Sequence, residues 1–154
     1  MNSSPHSSVM PLSAALPGTW NLLSRIDMTA DGKRCIDPSL GEDPAAILFY
    51  DRSGNFAAQF MKRDRSTPMA DVPAGAANNS RAQGGYDAYF GSYTVDDDLG
   101  TVTQRLTGSL SKENVGMVLT RGMTVEGDRL TIQLETTSSL GDPVTRTLTW
   151  ERVG

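Results

Sequence analysis

Residues 116–134 read GMVLTRGMTVEGDRLTIQL. Apolar side chains recur at every second position on both sides of residues 126–128, the spacing of two β-strands that each bury one face. The short turn between them predicts an antiparallel hairpin. Arg121 lies on the apolar face, between Leu119 and Met123. Burying a guanidinium is costly unless it is paired or hydrated, so its position predicts either an internal ion pair or a wet pocket.

The same alternation predicts further hairpins along the chain. The predicted strands are residues 18–27, 46–50, 55–62, 91–96, 101–109, 117–125, 130–135 and 144–152. About eight antiparallel strands in sequential hairpins can close into a barrel that holds one small ligand. The predicted fold is therefore all-β, an antiparallel up-and-down barrel of about eight strands.

The connections sort to opposite ends of such a barrel. Tight turns at residues 51–54, 97–100 and 126–128 close one end, and longer connections at residues 28–45, 63–89, 110–115 and 137–143 form a mouth. Near the end of the second long connection, Tyr86, Tyr89 and Phe90 have the spacing of one helix face. This spacing predicts a short helix or flap over residues 78–90 at the mouth.

Composition narrows the classes of function. The 154 residues are enough for one domain, predicted as a flexible Ser- and Pro-rich arm over residues 1–17 and a barrel over residues 18–154. A net charge of -4 argues against a nucleic-acid partner. Cys35 is the only cysteine, and there is no signal-peptide pattern, so a reduced cytoplasm is expected. No apolar run approaches the roughly 18 residues of a membrane span.

Several short motifs resemble known proteins. Gly18-Thr19-Trp20 and Arg152 match the lipocalin pattern, in which a Trp on the first strand packs under an Arg near the end of the last. The chain more closely resembles the short bacterial and fungal lipocalin-like domain family. The matching stretches are GTWNL (18–22), GEDP (41–44), LFY (48–50), AYFG (88–91), GDRL (127–130) and LTWER (148–152). The resemblance implies a lipocalin-like barrel over nearly everything after residue 17.

The sequence offers little of the usual catalytic chemistry. His6, the only histidine, lies in the predicted arm, so a Ser-His-Asp triad would require that arm to fold into the pocket. His6 and Cys35 cannot supply the roughly four ligands of a zinc site, and no Gly-rich phosphate loop is present. We therefore expect no metal and no nucleotide cofactor. Relatives often carry His in the strand corresponding to residues 101–109, where this chain has Gln104-Arg105.

The candidate catalytic residues are Arg121, Tyr50 and Tyr93. Arg121 would donate to a ligand carbonyl, enolate or carboxylate, and a tyrosine would help to steer charge. An internal ion pair remains the alternative for Arg121. The predicted ligand contacts are Ser24, Met61, Tyr86, Tyr89, Phe90, Gln104, Leu119, Met123 and Arg146. Trp20 and Arg152 are expected to close the barrel rather than to touch a ligand.

Three functions fit these observations, and the fold alone does not choose among them. The first is a cofactor-independent isomerase, cyclase or dehydratase that acts on a hydrophobic small molecule. The resemblance favours this function, because lipocalin-like barrels recur among enzymes that finish natural products. The second is a passive carrier of an apolar ligand, and the third is a plugged barrel that serves as a scaffold. No oligomeric state is predicted.

Overall fold

The computed structural model describes residues 10–66 and 82–154. In chain order the elements are helix α1 (Leu12–Ala15) and strands β1 (Gly18–Thr29), β2 (Arg34–Cys35), β3 (Ala45–Tyr50), β4 (Asn55–Met61), β5 (Tyr86–Asp96), β6 (Thr101–Ser109), β7 (Val118–Glu126), β8 (Arg129–Thr137) and β9 (Pro143–Arg152). A 3₁₀ helix at Lys112–Asn114 joins β6 to β7. None of the helices in these two ranges has the length and apolar character that crossing a membrane requires.

The strands form a closed antiparallel barrel. Each strand pairs with the next along the chain, apart from the two-residue β2, which lies beside β1. β1 pairs with β3 on one side and with β9 on the other, which closes the sheet. The predicted all-β barrel of about eight strands is therefore confirmed.

Alternating side chains of β3 and β4 supply much of the core. The amide of Asp51 donates to the carbonyl of Asn55 at 2.9 Å, which fixes the register of this hairpin. Five side chains then share the inner face: Leu48, Tyr50, Phe56, Ala58 and Phe60, all nearly fully buried. Phe60 also packs edge-on against the ring of Trp150, with 5.7 Å between centroids. The barrel interior is therefore largely filled by its own aromatic and aliphatic side chains.

Helix α1 covers the end of the barrel that carries the tight turns. Leu16, directly after α1, is fully buried, and its carbonyl accepts a hydrogen bond from the Trp20 indole at 3.0 Å. The amide of Ser13 donates to the Asp97 carboxylate at 2.8 Å. From residue 10 onward the predicted flexible arm therefore packs on the barrel, because burial of Leu16 outweighs the flanking prolines. Residues 1–9 of that arm lie outside the described residues.

The predicted helix over residues 78–90 is wrong from Ala82 onward, and residues 78–81 lie outside the described part of the chain. Gly84 and Gly85 both have positive φ, 59° and 76°, and form the two-residue turn of a tight hairpin. β5 begins directly after that turn, at Tyr86. The helical spacing of the aromatic residues is therefore coincidental, because neighbouring strand positions point to opposite faces.

A β-bulge in β1 turns Ser24, predicted as a ligand contact, away from the barrel interior. The register with β9 shifts between Leu22 and Ser24, so one extra residue enters β1. Beyond the bulge, Arg25 and Asp27 are the buried side chains, 5% and 3% exposed. Ser24 therefore faces outward, because a single inserted residue reverses every following position of a strand.

Candidate functional site

A small cavity lies in the middle of the barrel, with a volume of about 30 Å³. Its lining is mostly apolar and consists of Leu48, Tyr50, Phe60, Tyr89, Gln104, Arg121, Met123, Ile132, Leu134, Leu148 and Trp150. This space holds about two water molecules. Pockets for drug-sized ligands typically measure roughly 300–1,000 Å³, so such a ligand requires side chains to move.

Tyr50 lines the cavity, and its hydroxyl group accepts one hydrogen bond and donates another. The side-chain amide of Gln104 donates to that hydroxyl at 2.5 Å, and the hydroxyl donates to the Met123 sulfur at 3.9 Å. Burial raises the pKa of Tyr50 far above its ordinary value. The phenol therefore stays protonated and serves as a hydrogen-bond donor, not as a base.

Arg121 projects from β7 into the cavity wall and is half-buried. Within residues 10–66 and 82–154, no carboxylate or hydrogen-bond acceptor contacts its guanidinium. Burial lowers the pKa of Arg121, but a guanidinium remains charged in proteins. The alternative of an internal ion pair thus has no partner in the described part of the chain. Arg121 is a cation at the edge of an apolar cavity with its donors open to a ligand.

A second group of charges lies near the mouth, where β1 ends and β9 begins. Arg146 is fully buried and makes two hydrogen bonds to the Asp27 carboxylate, at 2.8 and 2.9 Å. It also contacts Asp37 at 3.3 Å, and that carboxylate accepts from the Ser139 amide at 2.9 Å. Arg25 is buried alongside, where burial and the charge of Arg146 lower its pKa to about 10. Arg146, predicted as a ligand contact, is thus held in a buried ion pair.

A family model for a lipocalin-like domain matches residues 17–153, a span that includes every strand of the barrel. The chain belongs to the lipocalin-like domain family. The predicted resemblance is thereby confirmed. No curated protein matches the chain. A lipocalin-like barrel fits the binding of a small hydrophobic ligand in its interior.

The lipocalin-like barrel brings five of the predicted site residues together around the cavity: Tyr50, Tyr89, Gln104, Arg121 and Met123. Leu119 is buried in the core beside them. Tyr93 packs edge-on against the Tyr50 ring, with 4.9 Å between centroids, but it does not line the cavity. Its hydroxyl instead donates to the Asp51 carbonyl at 2.5 Å in a tight turn. Burial, with the Asp51 carboxylate nearby, raises the pKa of Tyr93.

Four predicted contacts face the outside of the lipocalin-like barrel. Ser24 does so because of the bulge in β1. Met61 and Tyr86 are cross-strand partners on the outer face, where the Tyr86 hydroxyl donates to Gln59 at 2.5 Å. Phe90 is 56% exposed. The structure therefore does not bring these four side chains to the cavity.

Sequence reasoning missed six residues that line the cavity: Leu48, Phe60, Ile132, Leu134, Leu148 and Trp150. Trp150 and Leu134 both line it, and both occupy inward positions of regularly alternating strands. Their alternation was a sufficient signal for an inward position. Nothing in the alternation, however, distinguishes a side chain that lines a cavity from one that fills the core.

The described residues that line this lipocalin-like cavity offer hydrogen-bond donation to a ligand. Among the described residues that line it, none carries a carboxylate or an imidazole. Arg121 supplies charged hydrogen-bond donors at the edge of a mostly apolar cavity. Such an arrangement can polarise a carbonyl group and hold a flexible molecule in one conformation.

Proposed function

We propose that the barrel binds a small hydrophobic molecule with a carbonyl group and promotes its cyclisation without a cofactor. The observation that carries this proposal is Arg121, whose guanidinium has no partner among the described residues and borders an apolar cavity. A hydrogen bond from Arg121 to the ligand carbonyl would withdraw electron density from a chain conjugated with that carbonyl. The walls would hold the reacting ends together.

Among the described residues that line the cavity none is a base, which favours cyclisation over the other two reaction classes. A dehydratase or a proton-shifting isomerase needs a group that accepts a proton from the substrate. Tyr50 does not serve as that group, because burial raises its pKa far above the ordinary value. A cyclisation in which bonds rearrange within one molecule needs only shape and polarisation.

The volume of about 30 Å³ means that the ligand must displace side chains as it binds. Met123 lines the cavity and has an unbranched, adaptable side chain. Leu134 is only partly buried, so its movement breaks little packing. The cavity can therefore widen on the side of β7 and β8 without disturbing the aromatic core.

Binding inside the barrel can be tested with the two tryptophans of the chain. Trp150 lines the cavity, whereas Trp20 lies at the closed end and does not. Bromobenzene quenches tryptophan fluorescence on contact. We expect quenching in Trp20→Phe, which retains Trp150, and little in the matched control Trp150→Phe. Equal quenching in both variants, or none in either, would contradict binding in the cavity.

Catalysis can be tested with linear polyene ketones that cyclise slowly on their own. Product formation, followed by chromatography, should exceed the background rate and should fall by about 10²–10³-fold in Arg121→Met, the loss typical of one charge-stabilising donor. The same change at Arg105, exposed on the outer face of β6, should leave the rate unchanged. Turnover that survives in Arg121→Met would remove Arg121 from the mechanism.

The small volume of the cavity favours a second candidate, a plugged barrel that acts as a scaffold. In that case bromobenzene would leave both single-tryptophan variants unquenched. A passive carrier would bind the probe at Trp150 but would leave the rate of ketone cyclisation at background. The two experiments together therefore separate all three functions.

A further inference from the structure

The barrel wall has a lateral gap between β7 and β8. The two strands pair from Glu126–Arg129 as far as Gly122–Gln133. β7 continues beyond this point to Val118 and pairs there only with β6, while β8 continues to Thr137 and pairs only with β9. These described segments, residues 118–121 and 134–137, therefore face each other without a backbone ladder.

An outer groove of about 550 Å³ lies over this gap. Its lining residues are Thr120, Arg121, Gln133, Leu134, Glu135 and Thr145. Arg121 and Leu134 also line the central cavity. These two side chains are therefore the partition between the groove and the cavity, and their movement would join the two spaces.

The electrostatics of the gap favour a negative ligand group. Arg121 has no carboxylate partner among the described residues, so its charge is not neutralised there. Glu135 lies at the outer rim of the groove but is exposed, so solvent and salt screen its charge. The planar guanidinium suits a carboxylate or sulfonate, which it can bind through two parallel hydrogen bonds.

The mouth is a poorer route to the cavity on the side of β1 and β9. There Asp37, from the loop after β2, accepts a hydrogen bond from Ser139, in the loop before β9. Leu40, in the same loop as Asp37, is fully buried. A ligand that entered here would have to separate the ion pair between Arg146 and Asp27, which is costly in a buried site.

We propose that the gap between β7 and β8 is a binding portal for an amphiphilic organic anion. The anionic end binds Arg121 in the groove, and the apolar body passes Leu134 into the cavity. This inference rests on the proposed function only in requiring that the interior accept an apolar body. It adds the charge of the ligand and the route by which the ligand binds.

The charge can be tested with two fluorescent probes that share one aromatic frame, anilinonaphthalene sulfonate and its neutral analogue phenylnaphthylamine. We expect Arg121→Met to weaken binding of the sulfonate by at least about tenfold, because a charge-assisted hydrogen bond is lost. The affinity for the neutral probe should stay within about twofold of the wild type. Arg121→Lys should restore part of the affinity. Arg105→Met removes the same charge on the outer face and should change the affinity for neither probe.

The route can be tested by bridging the gap. In a Cys35→Ser background, the pair Thr120→Cys and Glu135→Cys is joined by a short bismaleimide. The control pair Thr124→Cys and Thr131→Cys is joined in the same way, across positions of the same hairpin that remain paired. Bridging the gap should slow association of the neutral probe by about tenfold or more, and the control bridge should not.

Each outcome has a definite meaning. Equal affinity of the sulfonate for the wild type and Arg121→Met would overturn the anion site while leaving the proposed function intact. Association that the bridge does not slow would overturn the portal. If neither probe binds the wild type, the proposed function itself fails, and the portal fails with it. Near-ultraviolet circular dichroism confirms that each variant retains its packed core before it is compared.

Discussion

Arg121 and Arg146 are both arginines inside the barrel, yet their surroundings predict opposite responses to replacement by Met. Arg146→Met removes the partner of two buried carboxylates, Asp27 and Asp37, and should cost about 3–5 kcal/mol of unfolding free energy. Arg121→Met strands no charge in the described part of the chain, so stability should change little or rise. Urea denaturation measures both. Equal losses would mean that Arg121 has a structural partner.

Asp37 makes stability depend on pH at the acidic end. Burial acts to raise the pKa of Asp37, but hydrogen bonds from Ser139 and the Ser39 amide outweigh it, and the net pKa lies below the ordinary 3.8. A carboxyl whose pKa is lower in the folded state stabilises the fold above its unfolded pKa. That contribution is lost as the pH falls through the folded value.

The dependence of stability on pH can be measured by urea denaturation at a series of acidic pH values. The wild type should lose stability on acidification, and Asp37→Asn should show a shallower dependence because its side chain does not titrate. Asp98→Asn, in an exposed turn, is the control and should follow the wild type. A slope that Asp37→Asn leaves unchanged would show that other carboxyl groups dominate.

At the scale of single elements, helix α1 is expected to stabilise the barrel that it covers. Leu16 is fully buried beneath Trp20, so Leu16→Ala should cost about 2–5 kcal/mol, the usual range for a buried leucine. Met10→Ala is the matched control, because Met10 is 57% exposed. Thermal and urea unfolding would compare the two. A Leu16→Ala variant as stable as Met10→Ala would imply that α1 detaches readily in solution.

The strands also show how far sequence reasoning reaches. Regular alternation was enough to place Tyr50, Gln104 and Arg121 on the inner face, because their strands pair there without interruption. It failed beyond Leu22, where one extra residue reverses the face of β1. The position of a bulge depends on the partner strand, so a period counted along one strand cannot reveal it.

Contacts made by loops and turns are the second kind of feature that the sequence does not predict. Asp37 lies in a loop and meets Arg146 only in the folded chain, more than a hundred residues away in sequence. No local pattern indicates that contact. For residues 82–90, by contrast, the sequence did hold the signal, since Gly84-Gly85 suits a two-residue hairpin turn better than a helix.

For the molecule as a whole, the barrel wall has one long strand pairing, between β1 and β9, and one that is interrupted, between β7 and β8. The pairing between β1 and β9 runs from the Trp20–Arg152 pair to the Thr29–Val144 pair. At its closed end the Arg152 guanidinium lies over the Trp20 ring at 4.3 Å and donates to the Pro17 carbonyl at 2.9 Å. The interrupted pairing leaves the gap between β7 and β8. Closure and ligand access therefore occupy different parts of the wall.

This separation predicts that Trp20 contributes to stability and not to binding. Trp20→Ala should cost about 3 kcal/mol or more, because the side chain is fully buried and its removal leaves a cavity beneath the sheet. Arg152→Met should cost less, since it removes a cation–π contact and its hydrogen bonds but keeps an apolar stem over the ring. Both variants, once folded, should bind phenylnaphthylamine as the wild type does. Urea denaturation and probe titration measure the two effects separately, and unchanged stability with lost probe binding would instead place Trp20 in the ligand site.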